Sequence, residues 1–195
     1  AEHSIDVSDI KFIFLTHAHD DHAGFLGELL KATHAQLIVH AQSPERLMTG
    51  HNQPIGGCSG RLAKIFVEGM SLAGKGKHGF SVVDVLRDAT IWNGTSQPLL
   101  EQEIPLRILA LPGHTLDSIG LLSEDGELFC GDAAMNGFPS VKRNIIWIEN
   151  LENYRHSWTT MIKTNAKTIF PSHGKPFSFK DLKKYHSHLQ TIILR

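Results

Sequence analysis

The chain has 195 residues, 41% of them hydrophobic and 20% charged, which suits one globular domain with a substantial core rather than a disordered segment. Nineteen Lys and Arg offset twenty Asp and Glu, and the formal net charge of -1 argues against a nucleic acid or an anionic membrane as partner. Two cysteines, Cys58 and Cys130, are too few for a disulfide framework and favour a reducing, cytoplasmic location.

The first predicted element leads directly into the most informative segment. Residues 10–15, with the apolar run 12–15, predict a buried strand, and residues 23–33 predict a helix whose inner face includes Phe25 and Leu26. Between them lies a run of histidines and aspartates that supplies His17, His19, Asp21 and His22. Imidazole is the commonest metal ligand and carboxylate is its usual partner, so this turn predicts a metal cradle.

Residues 36–40 predict the next strand, and Ser43 followed by Pro44 predicts the start of a helix. The pattern then loosens over residues 50–80, where glycines flank one probable helix, and this stretch predicts a variable insert that covers the site. His51 and His78 lie in the insert and are candidate substrate contacts. The insert also contains a G-x-G-x-x-G pattern, but it follows a helix rather than a strand, which favours a flexible loop over a dinucleotide site.

In the second half of the chain, three more strands end in potential ligands. A strand over 104–111 precedes His114, a hairpin over 119–122 and 127–130 precedes Asp132, and a strand over 168–170 precedes His173. Asn150 predicts the start of an amphipathic helix, and a final helix runs through Leu182. Strand ends are where rigid scaffolds present functional side chains, so the four segments predict one shared site.

The order His-x-His-x-Asp-His, Gly-His, Gly-Asp and Ser-His-Gly, which runs from about Asp9 to Phe177, resembles the metallo-β-lactamase superfamily. The resemblance implies a single α/β (α+β) domain over 1–195, built as a four-layer αββα sandwich. It also implies two divalent metal ions, most often zinc, with iron or manganese as alternatives. By that resemblance the ligands divide into a first set of His17, His19 and His114, a second set of Asp21, His22 and His173, and a bridging Asp132.

Two ions about 3.5 to 4 Å apart can share a water, lower its pKa to about 7 and polarise a substrate oxygen. A metal-bridging hydroxide would then be the nucleophile, with Asp21 as the catalytic residue that orients it. The sequence therefore predicts a hydrolase of a small ester, thioester or lactone. Ser118 and Lys175 are candidate groups around the substrate, and Lys175 would suit an anionic one.

Departures from known relatives leave the substrate open. The dizinc β-lactamases lack a carboxylate at the place of Asp132, and lactonases carry a Tyr where this chain has Met135. Glyoxalase II enzymes add a helical domain, whereas only 22 residues follow His173. An iron oxidoreductase of the same superfamily, such as a persulfide dioxygenase or a diiron protein, a phosphodiesterase, and a binding module without turnover all remain as alternatives.

The start of the chain also departs from the family pattern. Members of the superfamily have several strands before the first histidine motif, whereas this sequence reaches His17 almost at once. We therefore expect a sandwich without its N-terminal strands, completed by a missing N-terminal segment or by a second chain, because an uncovered apolar sheet is an aggregation hazard.

Overall fold

The structure is a computed structural model that describes residues 5–75, 79–84 and 89–195. Within these ranges the first half contains β1 (Phe12–Phe14), α1 (Asp20–Ala23), α2 (Leu26–Thr33), β2 (Gln36–His40), α3 (Ser43–Thr49), β3 (Gly57–Cys58), α4 (Arg61–Leu72) and β4 (Ala89–Trp92). The second half contains β5 (Leu106–Ala110), β6 (Ile119–Ser123), β7 (Glu127–Gly131), β8 (Trp147–Ile148), α5 (Leu151–Lys163), β9 (Thr168–Pro171), β10 (Phe177–Ser178) and α6 (Phe179–Tyr185). The same ranges also contain three short 3-10 helices, Val7–Asp9, Leu100–Gln102 and His186–Thr191.

Two larger sheets and one small ribbon form from these strands. The first sheet is parallel and has the order β1-β2-β4, and the second has the order β10-β9-β7-β6-β5. Within the second sheet β7 and β9 run parallel, while the other neighbours are antiparallel. The ribbon joins β3 to β8 and so connects the predicted insert to the segment just before α5.

Alternation along β2 shows how the layers stack. Leu37 and Val39 pack with α2 and α3 on one side, whereas Ile38 and Trp92 pack against Ile119 of the second sheet on the other. On the far side of the second sheet, α5 and α6 cover it with large buried side chains that include Tyr154, Trp158, Met161 and Leu182. The resulting order of helix, sheet, sheet and helix confirms the predicted αββα sandwich.

Most predicted elements are present, with small shifts at their ends. The strand at 36–40 matches β2, and Asn150 caps α5 by accepting a hydrogen bond from the Asn153 N–H at 2.9 Å. Gln42 rather than Ser43 is the N-cap of α3. The prediction that Phe25 lies on the buried face is wrong, because its side chain is 63% exposed at the bend between α1 and α2.

The insert over residues 50–80 is anchored to the sandwich on both sides of the ligand cluster. Asn52 accepts a hydrogen bond from the Asp20 N–H at 2.9 Å, and the Trp147 indole donates to the Ile55 carbonyl at 2.8 Å. α4 carries the rest of the described insert, and His51 bridges to Gly79. None of the helices in the described ranges has the length and apolar character of a membrane span.

Candidate metal centre

Four segments deliver the candidate ligands to one end of the sandwich. The turn after β1 carries four, namely His17, His19, Asp21 and His22. Three more follow β5, β7 and β9, namely His114, Asp132 and His173. All seven are therefore placed by strand ends, as the sequence predicts.

Two glycines permit the close approach that this convergence needs. Gly113 has a φ of 135°, and a Cβ there would collide with the backbone of Tyr154 on α5. Gly131 has a φ of 54°, and its Cβ would lie 2.9 Å from the Cβ of Thr16. The residues just before His114 and Asp132 are thus glycines because the chain turns there against a packed neighbour.

Asp132 lies at the centre of the cluster. Its Oδ2 is 3.2 Å from Nε2 of His173, 3.5 Å from Nε2 of His114 and 4.0 Å from Nε2 of His17. Its Oδ1 is 3.6 Å from Nε2 of His22. One carboxylate therefore faces four imidazoles that come from both ligand sets.

The ligand atoms form three overlapping groups, in each of which all atoms lie within 4.8 Å of one another. The groups are His17, His19 and His114; His17, His22 and Asp132; and Asp21, His22 and His173. The first and third are the two sets implied by the sequence motifs, and the second contains Asp132 between them. Asp21 closes the third group, with its Oδ2 at 3.1 Å from Nε2 of His173.

Hydrogen bonds fix which nitrogen each imidazole presents. The Nδ1–H of His114 donates to the Trp147 carbonyl at 2.8 Å, which leaves the Nε2 lone pair facing the cluster. Nδ1 of His17 lies 3.1 Å from the Thr16 hydroxyl, so its Nε2 also points inward. His19 instead presents Nδ1 to the cluster, because this atom lies 3.0 Å from Nε2 of His114.

Burial divides the cluster into a dry part and an open part. His17, His19, His114 and Asp132 are each less than 10% exposed, whereas the side chains of His173 and Asp21 are 39% and 49% exposed. The predicted first set therefore lies at the bottom of the site, and His173 and Asp21 of the second set line its mouth.

The pKa values follow this division. Burial, and then the neighbouring His114 and His22, hold the pKa of His17 well below its ordinary value, and burial likewise lowers the pKa of His19 to about 3. Burial would raise the pKa of Asp132, but its contacts with His173 and His22 outweigh this effect and keep the pKa well below the usual range. The same pairing with Asp132, and then with Asp21, raises the pKa of His173 to about 10.

Unpartnered atoms show that a cation fits this arrangement. Nε2 of His17, Nε2 of His22 and Oδ1 of Asp132 are buried and have no hydrogen-bond partner. Buried polar groups are nearly always satisfied, so three such atoms in one cluster require a common explanation. Imidazole nitrogens and carboxylate oxygens without thiolates are donors that suit zinc, iron and manganese alike.

The candidate substrate residues have less uniform positions. Ser118 is buried, with its hydroxyl 2.7 Å from that of Thr115, so it braces the His114 turn. Lys175 is exposed just beyond His173, and His51 is exposed with its ring nitrogen against the Thr49 carbonyl. His78 lies outside the described residues.

Four polar residues buried behind the ligand turns were not predicted as functional from the sequence. Their side chains hydrogen-bond with one another and with the backbone of the ligand segments, and the four residues are Asp117, Ser43, Arg46 and Glu149. Asp117 could have been noticed because it lies three residues after His114. The other three come from a helix and a loop whose patterns indicate ordinary surface residues.

Comparisons with known proteins agree with this geometry. A family model described as the metallo-beta-lactamase superfamily matches residues 1–173. Among curated proteins, the beta-lactamase-like protein 2 homolog of Caenorhabditis elegans is 33% identical over 86 residues, which are 44% of this chain and 27% of that protein. The matched stretch thus spans about a quarter of that relative's length.

Solved structures extend the likeness to the fold. ST1585, described as an archaeal metallo-beta-lactamase superfamily protein from Sulfolobus tokodaii, is 22% identical with a TM-score of 0.61, covering 93% of this chain and 67% of that one. TTHA1623, solved in a di-iron-bound form, is 14% identical with a TM-score of 0.56, covering 89% of this chain and 74% of that one.

Proposed function

The chain belongs to the metallo-beta-lactamase superfamily, whose members are mostly metallo-hydrolases, and from this premise we propose that it hydrolyses a small ester, thioester or lactone with two bound metal ions. The observation that carries the proposal is the convergence of seven candidate ligands, with Asp132 at their centre and three buried ligand atoms left unpartnered. A folded protein retains such a cluster at a cost in stability, which metal binding offsets.

We assign the buried set to the first ion, through Nε2 of His17, Nδ1 of His19 and Nε2 of His114. The second ion would be held by the outer set, Asp21, His22 and His173, with Asp132 contacting both ions. When bound, two such ions lower the pKa of a shared water to about 7 and polarise the substrate oxygen. Asp132 oxygens lie 3.2 to 4.0 Å from imidazole nitrogens of both sets, which supports the proposal that Asp132 would serve both ions.

The chain's own residues would orient the attacking water and exclude bulk solvent from the site. Asp21 lies at the open side, 3.1 Å from His173, where its carboxylate can accept a hydrogen bond from the attacking water and hold its proton. The buried histidines keep solvent away from the bottom of the site, which strengthens electrostatic interactions there. Substrate would enter past His173, and we propose that the exposed Lys175 and the insert shape this approach.

A second candidate function has one specific observation in its favour. TTHA1623, similar in fold, was solved in a di-iron-bound form, and imidazole and carboxylate donors suit iron as well as zinc. An iron-dependent oxidoreductase is therefore the main competing proposal, and a phosphodiesterase is a further one for the same pair of ions. Metal identity separates the first of these from a zinc hydrolase, and substrate preference separates the second.

The test combines elemental analysis with a substrate panel. Purified protein is expected to be colourless, to bind two equivalents of zinc, and to cleave nitrophenyl esters, acyl thioesters or lactones in preference to bis(nitrophenyl) phosphate. Asp125→Asn is a matched control, because Asp125 is exposed in the β6–β7 turn at the opposite end of these strands from the ligands. It should retain full activity, whereas Asp21→Asn should lower kcat by about 100-fold or more.

Each other result selects a different function. Bound iron with oxygen consumption and no hydrolysis would identify an oxidoreductase, and cleavage of phosphodiesters alone would identify a phosphodiesterase. Full metal loading without turnover on the whole panel would indicate a binding module.

A further inference from the structure

A buried polar network lies behind the ligand turns and contains none of the ligands. Its members are Asp117 and Ser43, both 0% exposed, Arg46 at 5% and Glu149 at 9%. Arg46 and Ser43 belong to α3, whereas Asp117 lies in a loop 74 residues after Ser43, and Glu149 lies in a loop 103 residues after Arg46. Burying three charged groups together is costly unless their arrangement does something that packed apolar side chains would not.

Asp117 contacts the first ligand turn directly. Its Oδ2 accepts the backbone N–H of Ala18 at 3.0 Å and the Ser43 hydroxyl at 2.8 Å. Ala18 lies between His17 and His19, so this bond holds the backbone segment that links the two candidate ligands. Nearby, the Thr16 carbonyl accepts the Ile119 N–H at 2.8 Å, which ties the same turn to the start of β6.

Arg46 and Glu149 connect this turn to the loop that carries His114. The Arg46 guanidinium donates to both Glu149 carboxylate oxygens at 2.8 Å, and its Nε lies 3.5 Å from Oδ1 of Asp117. Oε2 of Glu149 also accepts the Leu116 N–H at 3.0 Å, and the Glu149 N–H donates to the His114 carbonyl at 3.2 Å. Bidentate pairing of this kind fixes orientation as well as distance.

The network thus joins the two segments that supply the buried three-histidine set. It also carries two carboxylates against one guanidinium, which leaves a formal surplus of one negative charge in the interior behind three imidazoles. We propose that Asp117 is a positioning residue for this set, and that it acts through Ala18 to hold His17 and His19 against His114. This inference rests on the proposed metal-dependent function and adds a determinant of metal affinity to it.

The test uses cobalt(II) and zinc(II) added to the metal-free protein. Wild-type protein is titrated first, and a wild type that binds neither ion would contradict the proposed function itself. Given wild-type binding, Asp117→Asn removes the charge while keeping a side chain of the same shape. We expect it to weaken the tighter site by about 10- to 100-fold and to change the visible absorption spectrum of bound cobalt.

Asp181→Asn is the matched control. Asp181 pairs with Arg143 at 2.8 Å in a partly exposed ion pair on α6, so its loss tests the general effect of breaking an Asp–Arg pair. We expect this variant to keep the wild-type cobalt spectrum and a metal affinity within about twofold of wild type. Ser43→Ala removes one hydrogen bond to Asp117 and gives a milder variant if Asp117→Asn does not fold.

The two roles of the network predict different results. A positioning role predicts that Ser43→Ala, with its fold intact by circular dichroism, weakens the tighter cobalt site several-fold and shifts its spectrum in the same direction as Asp117→Asn. A purely structural role predicts lower melting temperatures with unchanged metal affinity and spectrum. The second result, in a wild type that binds both ions and turns over, would overturn this inference and leave the proposed function intact.

Discussion

The pairing of His173 with two carboxylates makes a quantitative prediction about pH. Its Nε2 lies 3.2 Å from Asp132 and 3.1 Å from Asp21, and these contacts raise its pKa to about 10 in the metal-free protein. The second ion must displace this proton before His173 can bind it. Apparent affinity at the second site should therefore rise about tenfold for each pH unit between 7 and 9, or about 100-fold in total.

An ordinary imidazole gives a very different result. With a pKa near 6.5, His173 would already be largely neutral at pH 7, and affinity would change by less than about twofold over the same interval. The buried site provides an internal reference, because His17 and His19 have lowered pKa values and hold no proton to displace in this range. Only the second site should show the steep dependence.

The free energy of unfolding of the metal-free protein should fall as pH rises, whereas metal affinity at the second site should increase. The pKa of His173 is higher in the folded protein than in the unfolded chain, so its stabilising contribution is complete below about pH 6.5 and disappears as pH rises towards 10. Raising the pH thus weakens the metal-free fold while it strengthens metal binding.

Competition with a chromophoric chelator at several pH values, at constant ionic strength, measures the affinity of each site. His173→Gln supplies an amide that cannot take up a proton, so its weaker second site should lose most of the pH dependence. A second-site affinity in the wild type that stays flat from pH 7 to 9 would refute the assigned pairing of His173 with Asp132 and Asp21.

Three further predictions test other parts of the structure. Asp132→Ala should lose the second metal and most of the turnover, so elemental analysis that still finds two equivalents would show that the bridging role is misassigned. Removal of both metals with a chelator should lower the melting temperature, because metal at about 100 times its dissociation constant adds about 2.7 kcal/mol to the free energy of unfolding. An unchanged melting temperature would argue against a site preformed in the fold. Tyr154→Phe should destabilise the protein by about 1–3 kcal/mol in urea denaturation, because the buried Ile145 N–H would lose the hydroxyl that accepts it at 2.9 Å, and a cost near zero would contradict that bond.

The ligand cluster could be predicted from the sequence because its information is local. Each of the four ligand segments follows a run of apolar residues, and the strand period and the turn residues are recognised within about ten positions. These local signals predict membership of the superfamily and the four-layer sandwich, and the family model and the solved structures confirm both predictions. The predicted missing N-terminal strands, the completing segment or second chain, and the covering role of the insert stay predictions.

The supporting network could not be predicted, because its information is distributed along the chain. Arg46 and Glu149 are 103 residues apart, and Ala18 and Asp117 are 99 apart. On a helix between a Ser-Pro start and a glycine end, Arg46 has the pattern of a solvated side chain. The burial of Arg46 depends on how the two sheets bring α3 against the loop after β8, which no local pattern encodes.

The attachment of the insert at Asn52 and Ile55 has a consequence for how related proteins could diverge. One anchor holds the turn that carries Asp21, and the other holds the residue whose carbonyl orients His114. With the insert in its predicted covering role, substitutions or length changes beyond these two points would change which substrates enter, while the candidate ligands stay in place. Selection for a new substrate and maintenance of the reaction centre can then act on separate stretches of the gene.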